Sequence, residues 1–317
     1  MLKLGVAAIF GPQSAASADH IRSMLDSVEI PFIDTRWNYK PSARILGTKS
    51  EEYTINLHPD VETLSRAYMD IIEHYGWKTI TILYENNDSM MRMKAIFDRT
   101  STLLPVDQFS IITRELVMNE NGYRDVSNEI MVRIFFVQPH ILLQVLREVL
   151  ASKATLIVLD CGKEVMPTVL QQIQQVGMAT SEYFYILSSL DTHTVDMENF
   201  KYGGTNFTTL RLVNTNSHEV QAVIRNIVKS EMNQGNQLQF ADGDVLNLDT
   251  DTALIYDSVT LFALSLDQLH RVQDLNIVPL DCSGQSSWDH GSSLINYMKL
   301  VEFTVSVVLP SNLQNIF

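Results

Sequence analysis

The chain is poor in cysteine, in charge and in long apolar runs, and each shortage narrows what it can be. It has two cysteines in 317 residues, Cys161 and Cys282. Two are too few for a small disulfide-built scaffold. They allow a mutual pair, two free thiols, or partners outside this chain. Nowhere do about 18 apolar residues run uninterrupted, so no segment of this chain is expected to span a membrane. Charged residues make up 19 %, and 37 acids outnumber 23 bases to give a net charge of −14. Such a surface repels phosphate and anionic lipid, so neither nucleic acid nor an anionic bilayer is an expected partner.

Catalytic signatures are missing as well. None of the eight histidines lies in a His-Glu-x-x-His pair or near a cysteine, so no metal site is expected. Phosphate-binding glycine loops and the Gly-x-Ser-x-Gly elbow are absent. No motif implies a cofactor, and none supports an enzyme. Three strand ends carry ligand-binding character of a weaker kind. Gly11-Pro12-Gln13-Ser14 could present helix N-terminal N–H groups to a carboxylate, or be an ordinary helix start capped by Ser14 or Ser17. Arg36-Trp37 could clamp an anion, or pack on the surface. Asp160-Cys161-Gly162 closes an apolar strand, where open α/β sheets place ligands. With only Lys163 close in sequence, Cys161 reads as a buried structural thiol rather than a nucleophile.

What the chain does have is apolar residue, 45 % of the total, arranged in a regular alternation. Strand patterns at 6–10, 31–33, 79–84, 110–116, 155–159, 183–187 and 208–212 are interleaved with amphipathic helical patterns near 14–28, 64–75, 91–100, 146–152, 165–176, 218–232, 252–269 and 292–300. Thr155-Leu-Ile-Val-Leu159 is continuously apolar, as in a sheet covered on both faces. The alternation predicts a doubly wound parallel α/β fold, and the length predicts two lobes. Two stretches do not fit. Residues 234–249 read as a polar loop. The apolar run 131–140 lies where one helix should be and contains Pro139, which breaks helices.

Several segments carry a resemblance. Gly5-Val-Ala-Ala-Ile-Phe-Gly-Pro12, Pro31-Phe-Ile-Asp-Thr-Arg-Trp37, Leu57-His-Pro-Asp60, Trp77-Lys-Thr-Ile-Thr-Ile-Leu-Tyr84, Tyr183-Phe-Tyr-Ile-Leu-Ser-Ser-Leu-Asp191, Thr250-Asp-Thr-Ala-Leu-Ile-Tyr-Asp257 and Ser287-Trp-Asp289 resemble the extracellular amino-terminal domain of ionotropic glutamate receptors, the kainate type best. The resemblance implies a periplasmic-binding-protein type I clamshell. Lobe 1 would be 1–76 with 197–303, lacking elements that the family places before Gly5, and lobe 2 would be 77–196. It implies an assembly module that pairs with homologous receptor subunits through lobe-1 helices. Ile21, Met24, Leu25, Tyr68 and Ile72 are the interface candidates. The competing expectation is a small-molecule sensor of the same fold, with Ser14, Arg36, Tyr84, Cys161 and Asp191 lining the cleft. Cys282 would match one half of a family disulfide whose partner is absent from this chain.

The start of the chain shows no signal-peptide core, which taken alone argues for the cytosol. The sequons Asn87-Asp-Ser89 and Asn206-Phe-Thr208 argue for secretion, and Asn206 is the stronger glycosylation candidate. Against the family pattern, 126–144 reads as an insertion and 304–317 as a foreign tail. Val126-Ser127 and Val305-Ser306 stand at the two breaks, as translated introns would give. An insertion should protrude or extend a helix without a settled place in the lobe-2 core.

Overall fold

The computed structural model describes residues 5–12, 14–37, 53–86, 88–102, 109–116, 139–234, 248–277, 279 and 287–301. Asn87, Cys282, 126–138 and 304–317 lie outside them. In chain order the elements are β1 (Ile9–Phe10), α1 (Ala15–Val28), β2 (Phe32–Asp34), β3 (Thr54–Asn56), α2 (Val61–His74), β4 (Thr79–Tyr84), α3 (Asp88–Arg92), α4 (Lys94–Thr102), β5 (Ser110–Glu115), α5 (Pro139–Ala151), β6 (Leu156–Asp160), α6 (Met166–Val176), β7 (Phe184–Leu187), β8 (Asn206–Thr209), α7 (His218–Asn233), α8 (Thr250–His270) and α9 (Gly291–Leu300). They form two compact units, one of residues 1–60 with 212–317 and the other of residues 61–211.

The unit boundaries differ from those drawn at 76/77 and 196/197. Helix α2 packs on α3 and α4, with Tyr68, Met69 and Ile72 buried beside Ile80, Ile82 and Ile96. Strand β8 pairs in parallel with β7. Both segments therefore belong to the unit whose sheet they cover or extend.

That unit has a five-stranded, all-parallel sheet in the order β5-β4-β6-β7-β8. Its strands alternate between two cores. Ile80, Ile82, Val158 and Ile186 face α2 and α4. Leu83, Ile157, Leu159, Tyr185 and Leu187 face α5 and α6. Parallel strands buried on both faces need this continuous apolar content. Helix α6 ends where Gly177 takes a left-handed conformation, φ 85°, which costs glycine nothing. Pro139 begins α5 rather than breaking it, because the first helical turn has no N–H partner to lose. Part of the supposed insertion thus has a settled place, contrary to expectation: Leu142 is buried in the core beside Leu146 and Val149.

The other unit contains the parallel sheet β1-β2-β3. Phe32, Ile33 and Ile55 pack there with Leu25 and Val28 of α1, Leu261 of α8 and Leu294 of α9. Asp249 caps α8, its carboxylate accepting from the Thr252 N–H at 3.0 Å. A tight joint links the two ends of this unit's sequence. The Trp288 N–H donates to the Val28 carbonyl at 3.0 Å, and its indole N–H donates to the Asn276 carbonyl at 3.0 Å. Glu29, in the left-handed region at φ 57°, turns its carbonyl onto Gly291, leaving no room there for a Cβ.

Gly291→Ala should therefore cost about 1–3 kcal/mol or more, as overpacking against backbone does, whereas Ala at the exposed Asn296 of the same helix should change little. Urea denaturation of the two variants checks this, and equal midpoints would count against the joint.

Candidate functional site

In the order β5-β4-β6-β7-β8 the chain winds outward in opposite directions from β4 and β6, so their carboxyl ends flank the point where strand order reverses. Doubly wound sheets bind ligands there. Tyr84 and Asp160 are register partners at those ends, followed by Glu85 and by Cys161-Gly162. Tyr84 is half-buried and Cys161 buried. Asp191 follows β7 on the same side and opens a short 3-10 helix, Thr192–Thr194. Its carbonyl accepts from the Thr194 N–H at 2.9 Å.

Asp160, 1 % exposed, organises this edge. The Arg92 guanidinium meets it with Nε at 3.2 Å from both oxygens and Nη2 at 2.8 Å from Oδ2. Ser188 Oγ donates to Oδ1, and Ser89 Oγ accepts from Arg92 Nη2 at 3.1 Å. The Tyr68 hydroxyl donates to the Ser188 carbonyl at 2.8 Å. Beside them the Glu85 carboxylate accepts from the Gly162 N–H at 2.7 Å. A buried carboxylate demands such a set, since an uncompensated charge is far costlier than a paired one. Burial, then the carboxylates Glu85 and Asp160, push the Cys161 thiol well up, with Arg92 opposing. Burial and then Asp160 push the Tyr68 phenol up, again against Arg92. Cys161 is a free, buried thiol held in its protonated form, which is not a nucleophile.

The remaining candidates sit differently from expectation. Ser14 stands at the start of α1 and is exposed, but its side chain makes no cap. Arg36 is not free to clamp an anion. Its Nε and Nη2 each lie 3.1 Å from the Asp34 carboxylate, and its backbone N–H donates to the same group at 3.1 Å. Arg22 reaches Asp34 from α1 at 3.3 Å. The cation is there to neutralise a fully buried Asp34. Of the interface candidates, Leu25, Tyr68 and Ile72 are buried within their own units, Ile21 packs partly on its core, and Met24 alone is largely exposed, at 54 %. Asn206 is exposed.

Arg92, Ser89 and Ser188 escaped the sequence reading. The one available signal was Asp160 itself, because an acid ending an apolar strand needs a cation. Which arginine supplies it, 68 residues away, is a property of the fold.

Among the described residues no cluster of His, Cys, Asp or Glu suits a metal ion, and no helix is long and apolar enough to cross a membrane. Two parallel α/β units, with the polar groups gathered at strand ends, define a binding-protein architecture. Over residues 1–306 the chain matches the receptor family ligand binding region, and it belongs to that family, with a periplasmic-binding-protein type I fold. It is similar to the kainate receptors within it. Over 300 residues it is 29 % identical to glutamate receptor ionotropic, kainate 1, of Homo sapiens, covering 94 % of this chain and 29 % of that receptor. The Mus musculus protein of the same name is also 29 % identical, with 94 % and 32 % covered. The Rattus norvegicus one is 28 % identical, with 94 % and 28 % covered. The chain thus spans less than a third of the length of these three relatives.

Two outcomes follow from the Asp160 network. Arg92→Ala strands a buried carboxylate and should destabilise the chain by about 3–5 kcal/mol, read as a lower urea midpoint. Exposed-pair removal by Arg66→Ala, where Arg66 meets Glu62 at 3.5 Å, should cost no more than about 1 kcal/mol. At pH 8 Cys161 should react with an aromatic disulfide reagent far more slowly in the native chain than in urea. Equal rates would refute its burial as a raised-pKa thiol.

Proposed function

We propose that this chain is the amino-terminal recognition domain of a kainate-type glutamate receptor subunit, acting in subunit assembly and modulation rather than in agonist binding or catalysis. The observation that carries the proposal is the similarity to kainate receptors across nearly the whole chain. Its partners would be homologous subunits, and its place the extracellular face of the plasma membrane at the synapse. The polar groups at the strand-order reversal support assembly over sensing. Asp160 is engaged by Arg92 and Ser188 and Glu85 by the Gly162 N–H, so a ligand there would have to displace bonds already made. Arg36 is likewise engaged by Asp34.

The assembly face would lie on α1. Its exposed side carries Ser17, Asp19, His20, Ser23, Met24 and Ser27, polar apart from Met24. Such a face offers one apolar anchor within a polar rim. A small-molecule modulator remains the second reading, favoured by the position of Tyr84 and Cys161 at the strand-order reversal.

Sedimentation equilibrium should show a reversible dimer of the chain, or a heterodimer with the matching region of kainate receptor 1. Met24→Asp should weaken it at least tenfold. A monomer throughout the micromolar range, alone and mixed, overturns the assembly reading. A panel of amino acids at millimolar concentration should leave the melting temperature unchanged. A saturable rise would instead establish the sensor.

A further inference from the structure

Helix α8 is apolar on two opposite sides. Leu254, Leu261 and Leu269 are buried in the cores of their unit. At 3.6 residues per turn, Ile255, Val259 and Ala263 fall on the far side, together with Thr252 and Tyr256. All five are exposed, Ile255 by 45 %, Val259 by 49 % and Tyr256 by 37 %. From Thr252 to Leu266 the one charged residue is Asp257, and it is buried. The outward face therefore carries no charge for about four turns. A helix that is apolar all round is normally enclosed. Helix α7 of the same unit shows the usual pattern, with Glu219, Arg225, Asn226 and Lys229 outward.

The stripe borders a sheet edge. Phe262, on the flank of α8, meets Phe10 of β1 edge-on at 5.8 Å, and Phe10 is itself exposed. β1 ends the order β1-β2-β3, so among the described residues no strand lies beside its outer side. Open edges and uncovered apolar faces are both places where chains associate. The exposed parts of Phe10 and the α8 stripe amount to roughly 400 Å², the scale of the largest patch on a monomer. That is about half of what one partner gives to a stable interface, and surrounding polar residues supply the remainder as a rim.

We propose that this face pairs with the same face of a second copy of the chain, the two α8 helices lying antiparallel about a two-fold axis at Val259. The stripe is self-complementary about that residue, as a two-fold interface requires. Ile255 and Ala263 stand four residues to either side of it, so the large side chain of one copy meets the small one of the other. Rows of residues four apart interdigitate in the commonest helix–helix geometry. Tyr256 falls opposite Phe262 of the second copy, which extends the contact toward Phe10 and screens the open edge of β1. At the ends of the overlap Asp251 approaches Asp267 of the second copy, whose charge Arg271 offsets at 2.6 Å. The pairing involves no residue of α1 and stands apart from assembly through that helix.

Cross-linking of the whole chain in a Cys282→Ala background tests this. Val259→Cys should form a disulfide with its own copy under mild oxidation, since the axis brings the two Cα atoms within the ~7 Å bridging limit. Asn226→Cys, exposed on α7, should stay reduced. In sedimentation, Val259→Asp should weaken association through this face at least tenfold with an unchanged urea midpoint. Met24→Asp should leave that association intact, which separates it from pairing through α1. Because the chain carries a net charge of −14 and the stripe none, the pairing should tighten as salt rises and screens the repulsion between copies. Val259→Cys cross-linking no faster than Asn226→Cys overturns the proposal, as does association indifferent to Val259→Asp. So would a lower urea midpoint of Val259→Asp in a monomeric chain, which would mean that the face is covered from within.

Discussion

A parallel strand covered on both faces has no place along its length for an unpaired polar group, so polar chemistry is driven to its ends. The 61–211 unit shows how strictly this holds. Val158 faces one core and Ile157 and Leu159 the other. One residue past them stands Asp160, as buried as they are and carrying a charge. Everything nearby is arranged around it. Helix α3 is five residues long and is tied in by Arg92, which donates to Asp160 and to Ser89 of its own helix. Ser188 ties β7 to the same carboxylate. Tyr68 brings in α2 through the Ser188 carbonyl. One buried acid therefore joins four elements that are distant in sequence. The other unit repeats the device with Asp34, which closes β2 and gathers Arg22 from α1 and Arg36 from the following turn.

That arrangement explains why residues that read as ligand-binding turn out to be occupied. Arg36 beside Trp37, and an acid at the end of Leu156–Asp160, have the composition of an anion clamp and of a ligand site. In the folded chain each finds its opposite charge inside the protein. A desolvated ion pair is retained when breaking it would leave either charge alone, and both pairs are in that position. The chemistry is real but directed inward, and it holds the strand ends in register for whatever surface the units present.

The fold was legible wherever local pattern and burial agree. The Thr79–Tyr84 strand was readable to the residue, because β-branched and apolar side chains alternate between two cores. Helix α6 was readable to its last residue, because Gly177 stops it. The Thr54–Asn56 strand was not foreseen: a single apolar residue, Ile55, gives no periodicity to detect. Assignment of α2 to a unit failed for a different reason. Tyr68 and Ile72 give the helix one apolar stripe, and a stripe says that the face is covered without saying by what. Periodicity cannot distinguish a neighbouring helix of the same unit from a second molecule. Leu25 and Met24 illustrate the limit within one turn of α1. They are adjacent and both apolar, yet one is in the core and the other in solvent. Pro139 shows the converse, a residue whose meaning depends on position, since it breaks a helix in the interior and starts one at the first turn.

The two sheets also share a plan that neither sequence segment announces. β6, α6, β7 and β8 follow one another as β1, α1, β2 and β3 do. In each set a helix joins the first strand to its parallel neighbour, and a second, shorter connection, 188–205 or 35–53, leads to the next strand outward. Right-handed crossovers leave few other ways to lay three parallel strands side by side. The sets differ in composition: Leu156–Asp160 against Ile9–Phe10, an eleven-residue helix against fourteen. Their buried acids also differ in place, ending the first strand in one and the second in the other, as Asp160 and Asp34. Common topology with displaced polar anchors means that the plan is set by sheet geometry and covering helices. The acids are then fitted wherever a strand end happens to be enclosed, and that enclosure depends on the helices around it rather than on the strand's own residues.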